Sequence, residues 1–202
     1  MPLHLKDIVN DFAEAFQRVD TSRPQGRSKT RVYQPGIGPL TEAEAIERAI
    51  EELHKGPRER IYREASSKPY PESRLRCDLV IPGEWAVEFK LIRPFGDNGN
   101  EAEHWSENVL HPYEGHTSAI GDCFKLIHSG FVEKKAVIVF GYEHIPPQVL
   151  LITAVLAFEK IASDVVRIIL SDREARDFGP LVHPVHQLGK IFAWEIRESE
   201  KR

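Results

Sequence analysis

The sequence predicts an α/β protein with a mixed central β-sheet that is flanked by helices. Two observations support this fold class. Apolar residues at helical spacing occur before, between and after short runs of β-branched and aromatic residues, which indicate strands. Apolar residues also make up 41% of the 202 residues and charged residues 29%, the balance of a globular protein. We expect a single domain over 1–202.

The first predicted element is an amphipathic helix from Leu5 to Val19, and the second begins at Thr41, which can form a capping box with Glu44. The predicted segments are, in order, helices 5–19 and 41–54, strands 60–66, 77–81 and 84–92, helix 117–129, strand 135–142, helix 148–162, and strands 165–170 and 190–196. The predicted irregular segments are a basic connector at 21–40 and a stretch at 94–114. Irregular segments of this length are usually functional or disordered.

Charged residues lie on the predicted hairpin in an arrangement that a purely structural buried strand avoids. Because side chains alternate along a strand, Trp85 and Phe89 share one face while Glu88 and Lys90 share the other. Burying these two charges is costly unless they form ion pairs or bind an ion. The alternative is a surface hairpin whose aspartate, glutamate and lysine lie on a solvated face. Together with Asp78 on the preceding strand, Glu88 can hold a hard cation through oxygen ligands. Lys90 can orient an attacking water and offset transition-state charge, so the pattern indicates metal-assisted phosphodiester hydrolysis.

Asp78, nine intervening residues and then Glu88-Phe89-Lys90 resemble the PD-(D/E)XK nuclease superfamily, although Cys77 precedes the aspartate where proline is usual. The resemblance covers about 40–142. It implies a restriction-endonuclease-like fold and a deoxyribonuclease that uses magnesium, with manganese as a possible substitute. It further implies DNA as substrate, often a homodimer, catalytic roles for the aspartate, glutamate and lysine, and metal binding by the two carboxylates.

Two other functions fit the same pattern. One is a structure-specific nuclease of DNA repair or recombination. The other is a protein of nuclease fold that binds nucleic acid without cleaving it. The presence of all of Asp78, Glu88 and Lys90 argues against the second, because degenerate members of the superfamily usually lose one of the three.

The superfamily core begins with a helix that contributes a further acidic residue. Glu42 lies four, seven and eleven residues before Ile46, Ala49 and Leu53, on the apolar stripe that faces the sheet. We therefore expect Glu42 to be a further catalytic and metal-binding carboxylate, with Glu44 as the alternative. A first-turn glutamate that only favours the helix dipole is an equally good interpretation.

Nucleic-acid contacts are expected from local basic groups, because the net charge of the chain is −4. The connector at 21–40 contains basic residues and no acidic one, so it can lie along phosphates or serve as a flexible linker. The segment at 93–115 is a second candidate for DNA contact or for a partner subunit, with a mobile surface loop as the alternative. The candidate DNA-binding residues are Arg23, Arg27, Lys29, Arg31, Arg93 and Lys125.

Lys125 shares one face of the predicted helix 117–129 with Ser118 and Asp122. That face is either part of the catalytic edge or a solvated surface opposite the apolar stripe.

Zinc, membrane and secretory features are not indicated. The histidines at 183, 186 and 111–116 lack a CxxC partner and an HExxH pattern. Two cysteines do not make a disulfide framework, and the first residues do not read as a signal peptide. The most apolar stretch, at 149–158, is too short to span a bilayer. We therefore expect a cytoplasmic protein without membrane association.

Overall fold

The computed structural model describes residues 2–26, 33–71, 74–113 and 117–197. Its helices are α1 (Leu5–Thr21), α2 (Glu42–Leu53), α3 (Glu59–Tyr62), α4 (Glu107–Leu110), α5 (Ala119–Ile127) and α6 (Leu151–Lys160). Its strands are β1 (Ser66–Pro69), β2 (Arg76–Ile81), β3 (Trp85–Ile92), β4 (Lys134–Glu143), β5 (Ile169–Leu170), β6 (Glu174–Phe178) and β7 (Leu188–Arg197). Within the described ranges, no helix is both long enough and apolar enough to cross a bilayer.

The strands form one mixed seven-stranded sheet in the order β1-β2-β3-β4-β7-β5, with β6 also paired to β7. The pairing of β3 with β4 is parallel and the other pairings are antiparallel. A parallel pair needs a long crossover, which here contains α4 and α5. The predicted α/β class with a mixed sheet flanked by helices is therefore confirmed.

Strand β3 separates two hydrophobic cores. Trp85 and Phe89 point into the core formed with α1 and α2, whereas Ala86 and Ile92 point into the core formed with α5 and α6. This alternation is the one predicted from the sequence. It directs Glu88 and Lys90 to the α5 side of the sheet, among otherwise apolar neighbours.

Asp20, at the end of α1, ties the described part of the connector to the core. Its side chain is fully buried and accepts hydrogen bonds from the backbone N–H groups of Ile37, at 3.0 Å, and Val182, at 2.7 Å. Ile37 and Leu40 are themselves fully buried. The flexible-linker interpretation is therefore wrong for residues 33–40, where the chain packs onto the domain.

The predicted strand at 60–66 is wrong in position. Residues 59–62 form the helical turn α3, and the strand β1 begins only at Ser66. Tertiary contacts explain the turn, because the hydroxyl of Tyr62 donates to Asp11 and the guanidinium of Arg58 pairs with the same carboxylate. These partners lie on α1, far away in sequence, and local pattern does not reveal them.

Two further predictions are corrected nearer the end of the chain. The predicted strand at 165–170 is reduced to Ile169–Leu170, because α6 continues into a π-helical turn at Ile161–Val165. Strand β6 was not predicted, since its alternation is masked by charged residues on an edge strand. The segment at 94–114, predicted to be irregular, contains the short helix α4.

We expect Asp20→Ala to lower the free energy of unfolding by roughly 2–6 kcal/mol, because each of two N–H donors left without a partner costs about 1–3 kcal/mol. Urea denaturation followed by circular dichroism measures the change. The exposed Asp172→Ala is the matched control and should leave the unfolding midpoint nearly unchanged. Equal midpoints for the two variants would show that Asp20 does not anchor the connector.

Candidate functional site

Asp78 and Glu88 meet where strands β2 and β3 separate. The ladder between the two strands ends at the pair Leu79–Val87, and one further step of the same register sets Asp78 opposite Glu88. The register of β1 against β2 also shifts beside this point, and a bulge of this kind redirects side chains. The Asp78 carboxylate accepts a hydrogen bond from the N–H of Phe89 at 2.8 Å. It thereby replaces the backbone carbonyl that β2 would have offered if the ladder had continued.

Glu42, the first residue of α2, plays the same part for Leu91, two residues further along β3. Its carboxylate accepts the backbone N–H of Leu91 and lies 3.6 Å from the ammonium nitrogen of Lys90. Glu44 instead completes the capping box with Thr41. Helix α2 therefore directs Glu42, and not Glu44, toward Lys90, as the apolar stripe predicts.

Glu88 is a buried carboxyl group, with 3% of its surface exposed. It accepts a hydrogen bond from the hydroxyl of Tyr70, which follows β1. Burial, together with the charge and hydrogen bond of Asp78, raises the pKa of Glu88 to about 9. In the protein without a bound cation, Glu88 therefore carries a proton at neutral pH.

Asp122 on α5 holds two lysine side chains beside these acids. It is 1% exposed, and its two oxygens lie 3.1 Å from Lys90 and 2.5 Å from Lys125. The Lys125 ammonium also lies 3.7 Å from Glu88. Burial is the largest single influence and opposes the charge on each lysine, but the neighbouring carboxyl groups, Asp122 foremost, together outweigh it and raise the pKa of both. The solvated-face interpretation is therefore wrong for Ser118 and Asp122, which are buried.

The site has more acidic than basic groups. Four carboxyl groups, from Glu42, Asp78, Glu88 and Asp122, surround the two ammonium groups of Lys90 and Lys125. When all six groups are ionised, two negative charges are left without compensation, and one divalent cation would neutralise them. All the acidic donors are oxygens, as hard cations prefer.

Asp78 and Glu88 are the carboxylates best suited to share such a cation, because they lie side by side and Glu88 resists ionisation without one. In the described parts of the chain, no group of three or more His, Cys, Asp or Glu side chains is arranged to hold a metal ion. Magnesium is commonly held by one or two carboxylates, with water and substrate phosphates as the other ligands, so a carboxylate pair fits it.

The other predicted contact residues are placed differently. The guanidinium of Arg93 donates to the backbone carbonyls of Gly38 and Leu40, at 2.9 and 3.3 Å, so it holds the start of α2. Arg23 is exposed and has a positive φ of 53° at the end of α1. Arg27, Lys29 and Arg31 lie outside the described residues.

A cleft of about 590 Å³ opens beside Lys90 and Glu42. It lies between the start of α2, the end of β3 and the segment at 102–108. The lining residues are Thr41, Glu42, Lys90, Leu91, Arg93, Ala102, Glu103, His104, Trp105, Glu107, Asn108 and Thr117. The cleft gives solvent and ligands access to Lys90 and Glu42.

No protein-family model matches the chain, and no match was found among curated proteins or among solved structures. The function has therefore to be argued from the residues and geometry of the site.

Sequence reasoning missed the contribution of Tyr70, and it named Asp122 only as a member of the helix face that includes Ser118 and Lys125. Tyr70 lies between two prolines on an irregular segment, where no periodicity marks it. Asp122 carried a usable signal, because an acid that is flanked by Gly121 and Cys123 in a mainly apolar helix needs a buried cation. Lys125, three residues further along the helix, provides one of the two ammonium groups that pair with it.

The raised pKa of Glu88 predicts a pH dependence of stability. A carboxyl group whose pKa is higher in the folded state stabilises the fold fully below its unfolded pKa of about 4.5, and this contribution is lost as the pH rises towards about 9. We expect Glu88→Gln, which mimics the protonated acid, to raise the melting temperature at pH 8 in the presence of a chelator. A gain of 1 kcal/mol corresponds to about 2–4 °C for a chain of this size.

Thermal melts of the wild type and Glu88→Gln at pH 5 and pH 8 provide the measurement. The two proteins should differ little at pH 5 and clearly at pH 8. Glu47→Gln, on the exposed face of α2, is the control and should follow the wild type at both pH values. A Glu88→Gln variant that is less stable than the wild type at pH 8 would show that Glu88 is ionised in the folded protein.

Proposed function

We propose that this protein is a metal-dependent nuclease of restriction-endonuclease-like fold that hydrolyses phosphodiester bonds in DNA. The observation that supports the proposal is the Asp78–Glu88 pair at the point where two strands separate, with the Lys90 ammonium held at the same edge by Asp122. The site thus combines a carboxylate pair for a divalent cation with a fixed positive charge for the phosphate.

Asp78 and Glu88 would hold magnesium, or manganese in its place. Such an ion, when bound, polarises a phosphoryl oxygen and lowers the pKa of a bound water. Its charge would also favour the ionised form of Glu88. Glu42 stays engaged with Leu91 and Lys90 and shapes the electrostatic environment from the α2 side.

Lys90 acts in this proposal as a hydrogen-bond donor and not as a base. Its neighbours Asp122 and Glu42 raise its pKa, so the ammonium remains protonated at neutral pH. A protonated amine orients the attacking water and stabilises the negative charge that develops on the phosphate oxygens. Lys125, whose pKa is also raised, supplies a second positive charge next to Glu88.

The remaining parts of the proposal concern assembly and location. One such site cuts one strand in each encounter, so cleavage of both strands calls for two protomers or two encounters, and we propose a homodimer. The basic connector, including Arg23, is proposed to contribute phosphate contacts. A cytoplasmic location would give the enzyme access to DNA.

Incubation of purified protein with supercoiled plasmid and magnesium tests the activity. We expect nicked or linear products, no products when a chelator is present, and activity when manganese replaces magnesium. Lys90→Ala should reduce the rate constant by about 10²–10³-fold, the usual loss when a preorganised charge-stabilising donor is removed. Its manganese affinity, measured by calorimetry, should remain close to that of the wild type.

Lys55→Ala, which removes an exposed lysine from the end of the α2 region, is the control and should cut at the wild-type rate. Asp78→Asn should lose both cleavage and metal binding. Cleavage that persists in the chelator, or in Lys90→Ala at the normal rate, would contradict the proposed site.

Asp122 should act on cleavage only through the lysines that it holds. Asp122→Asn weakens both ion pairs, so we expect a lower rate constant with little change in KM. In a Lys90→Ala/Lys125→Ala background the same substitution should cause no further loss, because its partners are already absent. A loss of equal size in both backgrounds would show that Asp122 acts in another way.

A further inference from the structure

Trp105 differs from the other two tryptophans of the chain. Trp85 and Trp194 are each 1% exposed and lie in the two cores. Trp105 is half-buried, packs against the core on the α5 side and lines the cleft that reaches Lys90. It also lines an adjoining cleft of about 430 Å³. The indole is therefore supported by the core and borders open space on the way to the site.

The basic side chains of this cleft already have partners. Lys90 lies against Asp122 and Glu42, and Arg93 donates to two backbone carbonyls. His104 contacts Glu107 at 2.8 Å. The wall around Trp105 therefore offers few free charges to a row of phosphates, on which duplex binding depends.

Glu103 adds a negative charge to the same wall, since it lines both clefts together with Trp105. Within the described residues, no cation pairs with its carboxylate. A wall with this charge favours the uncharged part of a nucleotide, the base, and keeps the phosphates on the side of Lys90.

The size of the cleft leads to the same conclusion. A volume of about 590 Å³ is typical of a small-molecule pocket. Specific duplex contacts instead need a surface that is strongly positive. Single strands are bound differently, by stacking successive bases on aromatic side chains along a groove.

The segment that leads into Trp105 is held in place by hydrogen bonds. The N–H of Ala102 donates to the carbonyl of Pro94 at 2.7 Å and closes the loop between them. Asp97, within the loop, lies 2.5 Å from Nε2 of His183. Nδ1 of that histidine accepts two backbone N–H groups, so Nε2 carries the hydrogen and donates it to Asp97. A preorganised wall reduces the entropy lost when a ligand binds.

We infer that Trp105 is the stacking platform for a base of single-stranded DNA. The neighbouring phosphodiester would then lie against Lys90, which lines the same cleft as Trp105. This inference rests on the proposed nuclease function, and it names the substrate class of that site.

Binding without cleavage tests the inference directly. The full-length Lys90→Ala variant, which is expected to cut slowly, is titrated in the presence of magnesium with a ten-nucleotide oligothymidylate, an oligoadenylate of equal length, and a blunt duplex of the same size. Because the other two tryptophans are buried, quenching of tryptophan fluorescence reports chiefly on Trp105. We expect both single strands to quench the fluorescence and to bind more tightly than the duplex.

Trp105→Ala in the same background should remove the quenching and weaken single-strand binding by about ten-fold or more, as for one base stacked on an aromatic ring. Val132→Ala is the control, since it removes an apolar side chain that is 94% exposed and does not line the cleft, and it should bind like its parent. Equal single-strand affinity with and without Trp105 overturns the inference. Tighter binding of the duplex, or binding of no DNA at all, overturns it too.

The two proposals fail in different ways. If the wild type cuts plasmid with magnesium but Trp105→Ala binds single strands normally, the subsite is wrong and the nuclease remains. If single strands bind through Trp105 but the wild type cuts neither plasmid nor oligonucleotide with any divalent cation, the subsite remains and the nuclease is wrong.

Discussion

The candidate site depends on the separation of strand β2 from strand β3. Once the ladder ends at Val87, the N–H groups of Phe89 and Leu91 still need acceptors, because unpaired backbone donors are costly inside a protein. Asp78 and Glu42 provide them with side-chain carboxylates. The backbone of one strand thus brings together acids from a neighbouring strand and from helix α2.

Concentrating acids in this way has an electrostatic cost, and the structure limits it in two ways. Glu88 is protonated and also accepts a hydrogen bond from the hydroxyl of Tyr70. Asp122 holds two lysine side chains close by. Neither arrangement stabilises the fold as well as an apolar core would, because buried ion pairs lose much of their attraction to desolvation. Residues that reduce stability in this way are common at functional sites.

Part of this site follows from sequence, because it depends on local periodicity. Strand alternation is sufficient to place Glu88 and Lys90 on one face, and the helical stripe is sufficient to direct Glu42 toward the sheet. Tyr70 and Asp122 depend on how the β1 segment and α5 pack against β3, which has no local signature. The same reason explains the misplaced strand at 60–66, since Arg58 and Tyr62 are held by partners on α1.

The pairing of charges within the site also determines where substrate affinity can come from. Lys90, Lys125 and Arg93 each have partners in the protein, so much of their positive charge is compensated before a phosphate arrives. A bound divalent cation changes this balance, because it can bridge a carboxylate pair and a phosphate without breaking those contacts. Affinity would then depend on the metal and on base stacking at Trp105, and less on a general positive field, which agrees with a chain whose net charge is −4.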